Sequence, residues 1–224
     1  MANDTGWGKV RFWDDFVVDT LSTFNWASAA TNSGTAFAVN AQVNGVVRGT
    51  VTNNSQDDLV TMYGALLWQA DDAGPLLLEA RVKPITSLVA DLYFGFSDAA
   101  SAELPISIAA GTVTTTASDA AGFYYGGGET TPVWRYGGVA ANVDSTQAAA
   151  SAARNPVLTT YQTLKVVLNE DGAGSFYIDG ILQSENVSGC VTATVSLNPY
   201  FAIQDDGAAA SWDIDYVYID KGRV

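Results

Sequence analysis

Asp213 and Asp215 stand two residues apart in the run Trp212-Asp213-Ile214-Asp215-Tyr216-Val217-Tyr218. On an extended strand that spacing places both carboxylates on one face. Two facing carboxyls are the requirement of glycoside hydrolysis, roughly 5 Å apart for retention and roughly 6.5–9.5 Å for inversion. No third acid accompanies the pair, and the five glutamates, Glu79, Glu103, Glu129, Glu170 and Glu185, are far apart in sequence. The pair is therefore read as structural. An inverting pair drawn from two strands is the enzymatic alternative.

Aspartate doublets at Asp14-Asp15, Asp57-Asp58, Asp71-Asp72 and Asp205-Asp206 offer the hard oxygen ligands that Ca2+ takes. No EF-hand spacing surrounds them. Aspartate also populates turns, because its side chain accepts from nearby backbone N–H groups. The runs Asp71-Asp72-Ala73-Gly74-Pro75 and Asp205-Asp206-Gly207 fit turns. The expectation is no cofactor and no metal. If a Ca2+ binds, pairing of the first and last strands would bring Asp14 or Asp15 near Asp215.

The segment from Gly122 to Gly138 carries Phe123, Tyr124, Tyr125, Trp134, Arg135 and Tyr136 around Gly126-Gly127-Gly128. Aromatic rings beside glycines suit stacking on sugars or anchoring at a protein interface. They equally suit a hairpin whose rings pack into the domain. Neighbouring Tyr124 and Tyr125 point to opposite faces of a strand, which places at least one outside the core. Tyr124, Tyr125, Trp134, Arg135 and Tyr136 are the candidate glycan- or partner-binding residues. The triple glycine is no phosphate cradle, since the Lys-Ser/Thr and following helix of a P-loop are missing. Lys9, Arg11, Lys221 and Arg223 lie near the two ends. Paired terminal strands would gather them into a positive docking patch; otherwise they are solubilising tails. Trp7, Trp13, Trp26, Trp68 and Trp212 are read as core or sheet-face residues.

Two scarcities narrow the chemistry. There is no histidine, so an imidazole-based triad is excluded, along with most imidazole zinc sites. There is one cysteine, Cys190, so no intrachain disulfide forms; in its Val/Thr/Ala-rich surroundings it reads as a small core hydrophobe. With 24 acidic against 10 basic residues, the net charge of -14 disfavours nucleic acid and anionic membrane as partners. Met1 to Lys9 shows no basic segment leading into an apolar run, so no targeting signal is expected. No stretch approaches the roughly 20 apolar residues of a membrane helix. Absence of disulfides points to folding in a reducing cytosol.

The elements that must position these groups are strands. Leu78-Glu79-Ala80-Arg81-Val82-Lys83 alternates apolar and charged residues. Leu88, Ala90, Leu92, Phe94 and Phe96 alternate likewise, as do Leu164, Val166 and Leu168, and Trp212, Ile214, Tyr216 and Tyr218. Asn44-Gly45, Asp171-Gly172, Asp179-Gly180 and Asp206-Gly207 supply turns. Leu164–Leu168, Ser175–Asp179 and Ile181-Leu182 form a three-stranded meander. The best helix candidate is Gln147–Ala153, halted by Asn155-Pro156. About a dozen or more short strands without a composition break give one all-β domain over residues 1–224, with an arm at 1–9 and a tail at 221–224. So many strands split into a two-sheet antiparallel β-sandwich.

Several segments resemble concanavalin A-like jelly rolls of the LamG-like kind. Asp14-Asp15-Phe16 with Asn25-Trp26 looks like their opening, and Leu78–Lys83 like an inner strand. Phe176-Tyr177-Ile178-Asp179-Gly180 resembles a hairpin of theirs, and Trp212–Tyr218 their closing strand. The retaining enzymes among such folds carry E-x-D-x-x-E on one strand, which this chain lacks. Phe94–Ala99, Glu103-Leu104-Pro105 and Ser118–Phe123 resemble a set of tailed-bacteriophage virion proteins. The loop Tyr124–Glu129 departs from that set.

The virion resemblance implies a non-enzymatic capsid decoration or minor head protein, assembled in the host cytoplasm and held on the head exterior by surface complementarity. The partners so implied are the major capsid protein or other virion proteins. The alternatives are a carbohydrate-binding module or adhesin for cell-surface or mucus glycans and, third, a glycoside hydrolase. Edge strands leave room for a homo-oligomer.

Overall fold

The computed structural model describes residues 9–40, 45–53, 58–71 and 74–222. Trp7, Asn44, Asp57, Asp72, Ala73 and Arg223, named above, lie outside the described residues. In chain order the strands are β1 (Lys9–Asp14), β2 (Ala27–Ala30), β3 (Thr35–Val39), β4 (Val47–Val51), β5 (Leu59–Tyr63) and β6 (Leu76–Pro84). There follow β7 (Ala90–Ser97), β8 (Ile106–Ala109), β9 (Thr112–Thr115), β10 (Ala120–Tyr125), β11 (Arg135–Ala140) and β12 (Val143–Asp144). The chain ends with β13 (Ala148–Ala149), β14 (Gln162–Leu168), β15 (Gly174–Ile178), β16 (Ile181–Val187), β17 (Asn198–Asp205) and β18 (Ala210–Gly222).

Two antiparallel sheets account for sixteen of these strands. Sheet A runs β16-β15-β14-β6-β18-β4-β3, and sheet B runs β12-β11-β10-β7-β17-β5-β2. The 13-residue β18 is long enough to take two neighbours along one side: β4 pairs with Ala210–Ile214, and β1 with Val217–Gly222. First and last strands therefore do meet. The expected meander is present as β14, β15 and β16.

Alternation makes the sandwich. Every second residue of β6, from Leu76 to Pro84, is buried, and Leu77, Glu79, Arg81 and Lys83 face outward. The inward side chains meet Phe94, Phe96, Phe123 and Phe201 of sheet B in one core. Rings bridge the sheets edge to face, the arrangement their quadrupoles favour: Phe123 and Phe176 lie 5.7 Å apart, Trp134 and Trp212 6.0 Å.

Sheet B departs from simple alternation. β10 is buried at all six positions, and β7 and β17 are nearly so. The cause is a second core on its outer face. The β8–β9 hairpin and the chain on either side of it lay Leu104, Ile106, Ile108 and Ala117 over Tyr93, Tyr124, Tyr200 and Ala202. Among the described residues, sheet B is sealed on both faces and sheet A is covered on one.

The expected helix at Gln147–Ala153 is instead β13 followed by a 3₁₀ turn at Ala152–Arg154. Ala148 and Ala149 pair with Tyr136 and Arg135 of β11. The Gln147 amide donates to the Gly138 carbonyl (3.0 Å) and its oxygen accepts from the Tyr124 hydroxyl (2.9 Å). These tertiary bonds outweigh the weak helix preference of an alanine run.

Candidate functional site: the open face of sheet A

The register of sheet A lines up five side chains from five adjacent strands. Tyr177 of β15 stands opposite Lys165 of β14, Lys165 opposite Glu79 of β6, Glu79 opposite Tyr218 of β18, and Tyr218 opposite Trp13 of β1. At strand spacing this row spans about 19 Å. The next row holds Thr163, Arg81 and Tyr216. Trp13 is 56% exposed, and one of its faces stacks on Tyr216 at 4.8 Å between ring centroids and 16° between planes.

A bulge creates the aromatic part. Alternation along β18 starts with Trp212 and Ile214 pointing into the core. The register with β6 then shifts between Ile214 and Tyr216, so Val217 and Ile219 take the inward positions. Tyr216 and Tyr218 are thereby turned to the outer face. The sequence reading placed them on the same face as Trp212; the extra residue at Asp215 reverses that assignment, as a bulge does. The apolar Val217 and Ile219 are the sequence signal of the reversal.

Polar contacts fix the row. The Tyr216 hydroxyl donates to Glu79 Oε1 (2.9 Å), and the Tyr218 hydroxyl to Asp220 (3.0 Å). Burial, then Glu79, pushes Tyr216 up to about 12. Arg81 donates to Asp215 (2.6 Å), and its guanidinium carbon lies 4.0 Å from the Tyr161 ring centre. Lys83 Nζ lies 4.3 Å from that centre, and Lys165 Nζ lies 4.3 Å from the centre of Tyr177. Above this, the fully buried Asp213 accepts from Arg48 Nε and Nη2 (2.6 and 3.0 Å), with Lys83 at 3.5 Å. Asp213 raises the Arg48 pKa, chiefly through that hydrogen bond. Exposed rings beside fixed hydrogen-bonding and charged groups can bind a polyhydroxylated ligand by stacking and by hydrogen bonding.

The residues singled out in the sequence lie elsewhere. Tyr125, Trp134 and Tyr136 belong to the main core, and Tyr124 to the core under the hairpin. Tyr124 and Tyr125 do point to opposite faces; the hairpin covers the outer one, so neither reaches solvent. Trp134 donates from its indole nitrogen to Gln162 Oε1 (3.1 Å) and is 1% exposed. Its rings and its neighbours' rings are committed to packing, and Arg135 alone of the five is partly exposed.

The basic residues near the ends are divided. Lys9 and Arg11 each lie 3.5 Å from Asp220 on the open face. Lys221 points the other way and donates to the carbonyls of Ala70, Asp71 and Gly74. Asp14 accepts from the Phe16 N–H (2.9 Å) and the Trp26 indole (2.8 Å), while Asp215 serves Arg81. Among the described residues no group of three or more acids or cysteines is placed to hold a metal. Cys190 is buried, and burial raises its thiol to about 11.

One carboxyl outside this face is strongly perturbed. Asp91 of β7 is pushed up to about 7, first by burial and then by Asp206. The Gly127 N–H opposes this and Glu129 adds to it.

No protein-family model matches the chain, and no curated protein matches it. Solved structures do. The Bacillus licheniformis β-glucanase superposes with a TM-score of 0.63 at 14% identity, covering 93% of this chain and 97% of that one. The carbohydrate recognition domain of Emp47p gives 0.58 at 11% identity, over 96% and 95%. The Crh5 transglycosylase gives 0.59 at 15% identity, over 94% and 84%. At these identities the likeness shows the fold, which is the concanavalin A-like jelly roll. It also corrects the reading of the chain as non-enzymatic. A β-glucanase and a transglycosylase share this architecture, so the missing E-x-D-x-x-E run does not place the chain outside enzymes.

Proposed function

We propose that this chain is a carbohydrate-binding β-sandwich that meets its ligand on the outer face of sheet A. One observation carries the reading. The row Tyr177, Lys165, Glu79, Tyr218 and Trp13 lies on the sheet face that the chain's own hairpin does not cover. Trp13 offers the face not stacked on Tyr216, and Glu79, Arg81 and Lys165 supply hydrogen-bonding groups farther along the same face. The carbohydrate recognition domain among the similar structures supports this reading. A glycan array probed with the wild-type chain and with Trp13→Ala tests it. Binding that Trp13→Ala abolishes is expected; no bound glycan, or binding indifferent to Trp13, overturns it.

A second reading sets the module in a tailed-phage particle, on the head exterior against the major capsid protein. It is supported by the resemblance of Phe94–Ala99, Glu103-Leu104-Pro105 and Ser118–Phe123 to virion proteins. These segments form β7, the chain entering the hairpin, and β10. Both readings hold together if the particle uses the open face to grip glycans. Co-sedimentation with intact particles at a fixed, high copy number is the expected result, and a chain found only free of particles counts against this setting.

A further inference from the structure

Each residue of the open row stands directly opposite the next in the strand register, so the row runs across the strands from Tyr177 to Trp13. Successive positions are then about 4.8 Å apart and the end positions about 19 Å. Rings stand at both ends and at Tyr218, with Lys165 and Glu79 between. Tyr177 and Tyr218 are partly exposed, and Trp13 is 56% exposed. Beyond Tyr177 the row continues to Leu182 of β16, which stands opposite it and is 44% exposed. At the other end, among the described residues, β1 pairs with β18 alone.

That geometry selects among glycans. A site for one terminal sugar closes round it with groups that converge on a single point. Tyr177 and Trp13 are too far apart to touch one sugar ring. A chain can touch both, and its second contact is made by a ligand already held, at a high effective concentration. The spacing is selective as well. A pyranose unit joined through equatorial bonds at opposite corners of its ring is close in length to the gap between neighbouring strands, so an extended chain of such units keeps step with the row. A chain whose linkage curls it leaves the row after a contact or two. The row is also held in place before any ligand arrives. Trp13 stacks on Tyr216, the Tyr216 hydroxyl donates to Glu79 (2.9 Å), and Lys165 Nζ lies 4.3 Å from the Tyr177 ring centre. Side chains fixed in this way lose little freedom on binding.

We infer that the ligand of this face is the interior of an extended, equatorially linked polysaccharide chain, lying across β15, β14, β6, β18 and β1 with successive sugars over the row from Tyr177 to Trp13. This rests on the carbohydrate-binding reading above and narrows its ligand class. Trp13 stacks on the sugar at one end of the bound stretch, and Tyr177 meets the sugar at the other. Hydroxyl groups of the sugars between them meet Glu79 and Lys165.

Isothermal titration of the full chain tests this with cello- and chito-oligosaccharides, whose backbones are extended, and with laminari-oligosaccharides, whose backbone curls, each from the disaccharide to the hexasaccharide. Affinity for at least one extended series should climb with length and level off near the length that fills the row, about five sugars. Trp13→Ala should abolish binding. Tyr177→Ala should weaken hexasaccharide binding about tenfold, the worth of one ring contact, and so flatten the climb. Circular dichroism and melting confirm that each variant folds. Equal affinity for disaccharide and hexasaccharide, or hexasaccharide binding indifferent to Tyr177→Ala, shows a site for a single sugar; it overturns the inference and leaves the carbohydrate reading standing. A laminari series bound as tightly as the extended ones does the same. Binding of none of the three series overturns the inference, and if the glycan array is also empty the carbohydrate reading falls with it.

Discussion

Gly95 and Gly122 face one another across β7 and β10, and neither has room for a side chain. A methyl built on Gly95 would collide with the carbonyl oxygen of Ala121; one built on Gly122 would collide with that of Phe94. Both obstacles are backbone, which cannot rotate aside. Gly95→Ala or Gly122→Ala must therefore force the central strands of sheet B apart. Overpacking of this kind costs about 1–3 kcal/mol, and a chain of this size loses about 2–4 °C of Tm per kcal/mol. Thermal melts of the two variants should each fall by about 2 °C or more. An unchanged Tm would mean that the strands are not in this close approach.

Trp134 and Trp13 should behave in opposite ways. Trp134 packs on Phe123, Tyr125 and Trp212 and donates to Gln162. Trp134→Ala leaves a cavity and costs about 3–5 kcal/mol in urea unfolding. Trp134→Phe keeps most of the packing but leaves the buried Gln162 oxygen without its donor, costing about 1–3 kcal/mol. Trp13→Ala removes a half-exposed ring and should change stability by about 1 kcal/mol or less, while removing glycan binding. Equal destabilisation by the two alanine variants would contradict their placement.

The contrast shows where sequence and structure part. The alternating runs in β6, β7 and β14 and the turn pairs made the two-sheet architecture legible, because a half-buried strand must alternate. The site was not legible, for two physical reasons. Burial of Tyr124 depends on a hairpin nine to eighteen residues earlier folding over it, a tertiary event without local periodicity. Exposure of Tyr216 and Tyr218 depends on one extra residue at Asp215, which inverts the alternation midway along β18. Aromatic richness alone could not separate ring clusters that pack from rings that face outward.

Asp213 anchors Arg48 and Lys83 on the open face from a fully buried position. Asp213→Ala would leave Arg48 and the largely covered Lys83 facing each other without a counter-charge. Breaking a buried pair in this way costs about 3–5 kcal/mol. Denaturant unfolding near neutral pH should show that loss. Asp213→Asn, which keeps the shape and part of the hydrogen bonding, should lose less. A cost under about 0.5 kcal/mol for the alanine variant would show that the pair is solvated.

Asp91 gives the fold a stability that falls as pH rises. Its Oδ1 is buried without a hydrogen-bond partner, and burial with Asp206 raises its pKa to about 7. In the unfolded chain the same carboxyl titrates near about 3.9. Between these two values the folded state holds a proton that the unfolded state has released. Stability therefore declines with rising pH across that interval, and the full penalty of the buried charge applies above it. Asp91→Asn cannot ionise, so it should melt close to the wild type near pH 4. It should exceed the wild type by at least about 2–4 °C well above pH 7, the shift expected for about 1 kcal/mol or more in a chain of this length. Melting curves of both proteins over that range decide the matter. A Tm difference that stays constant with pH would show that Asp91 titrates as an ordinary surface carboxylate.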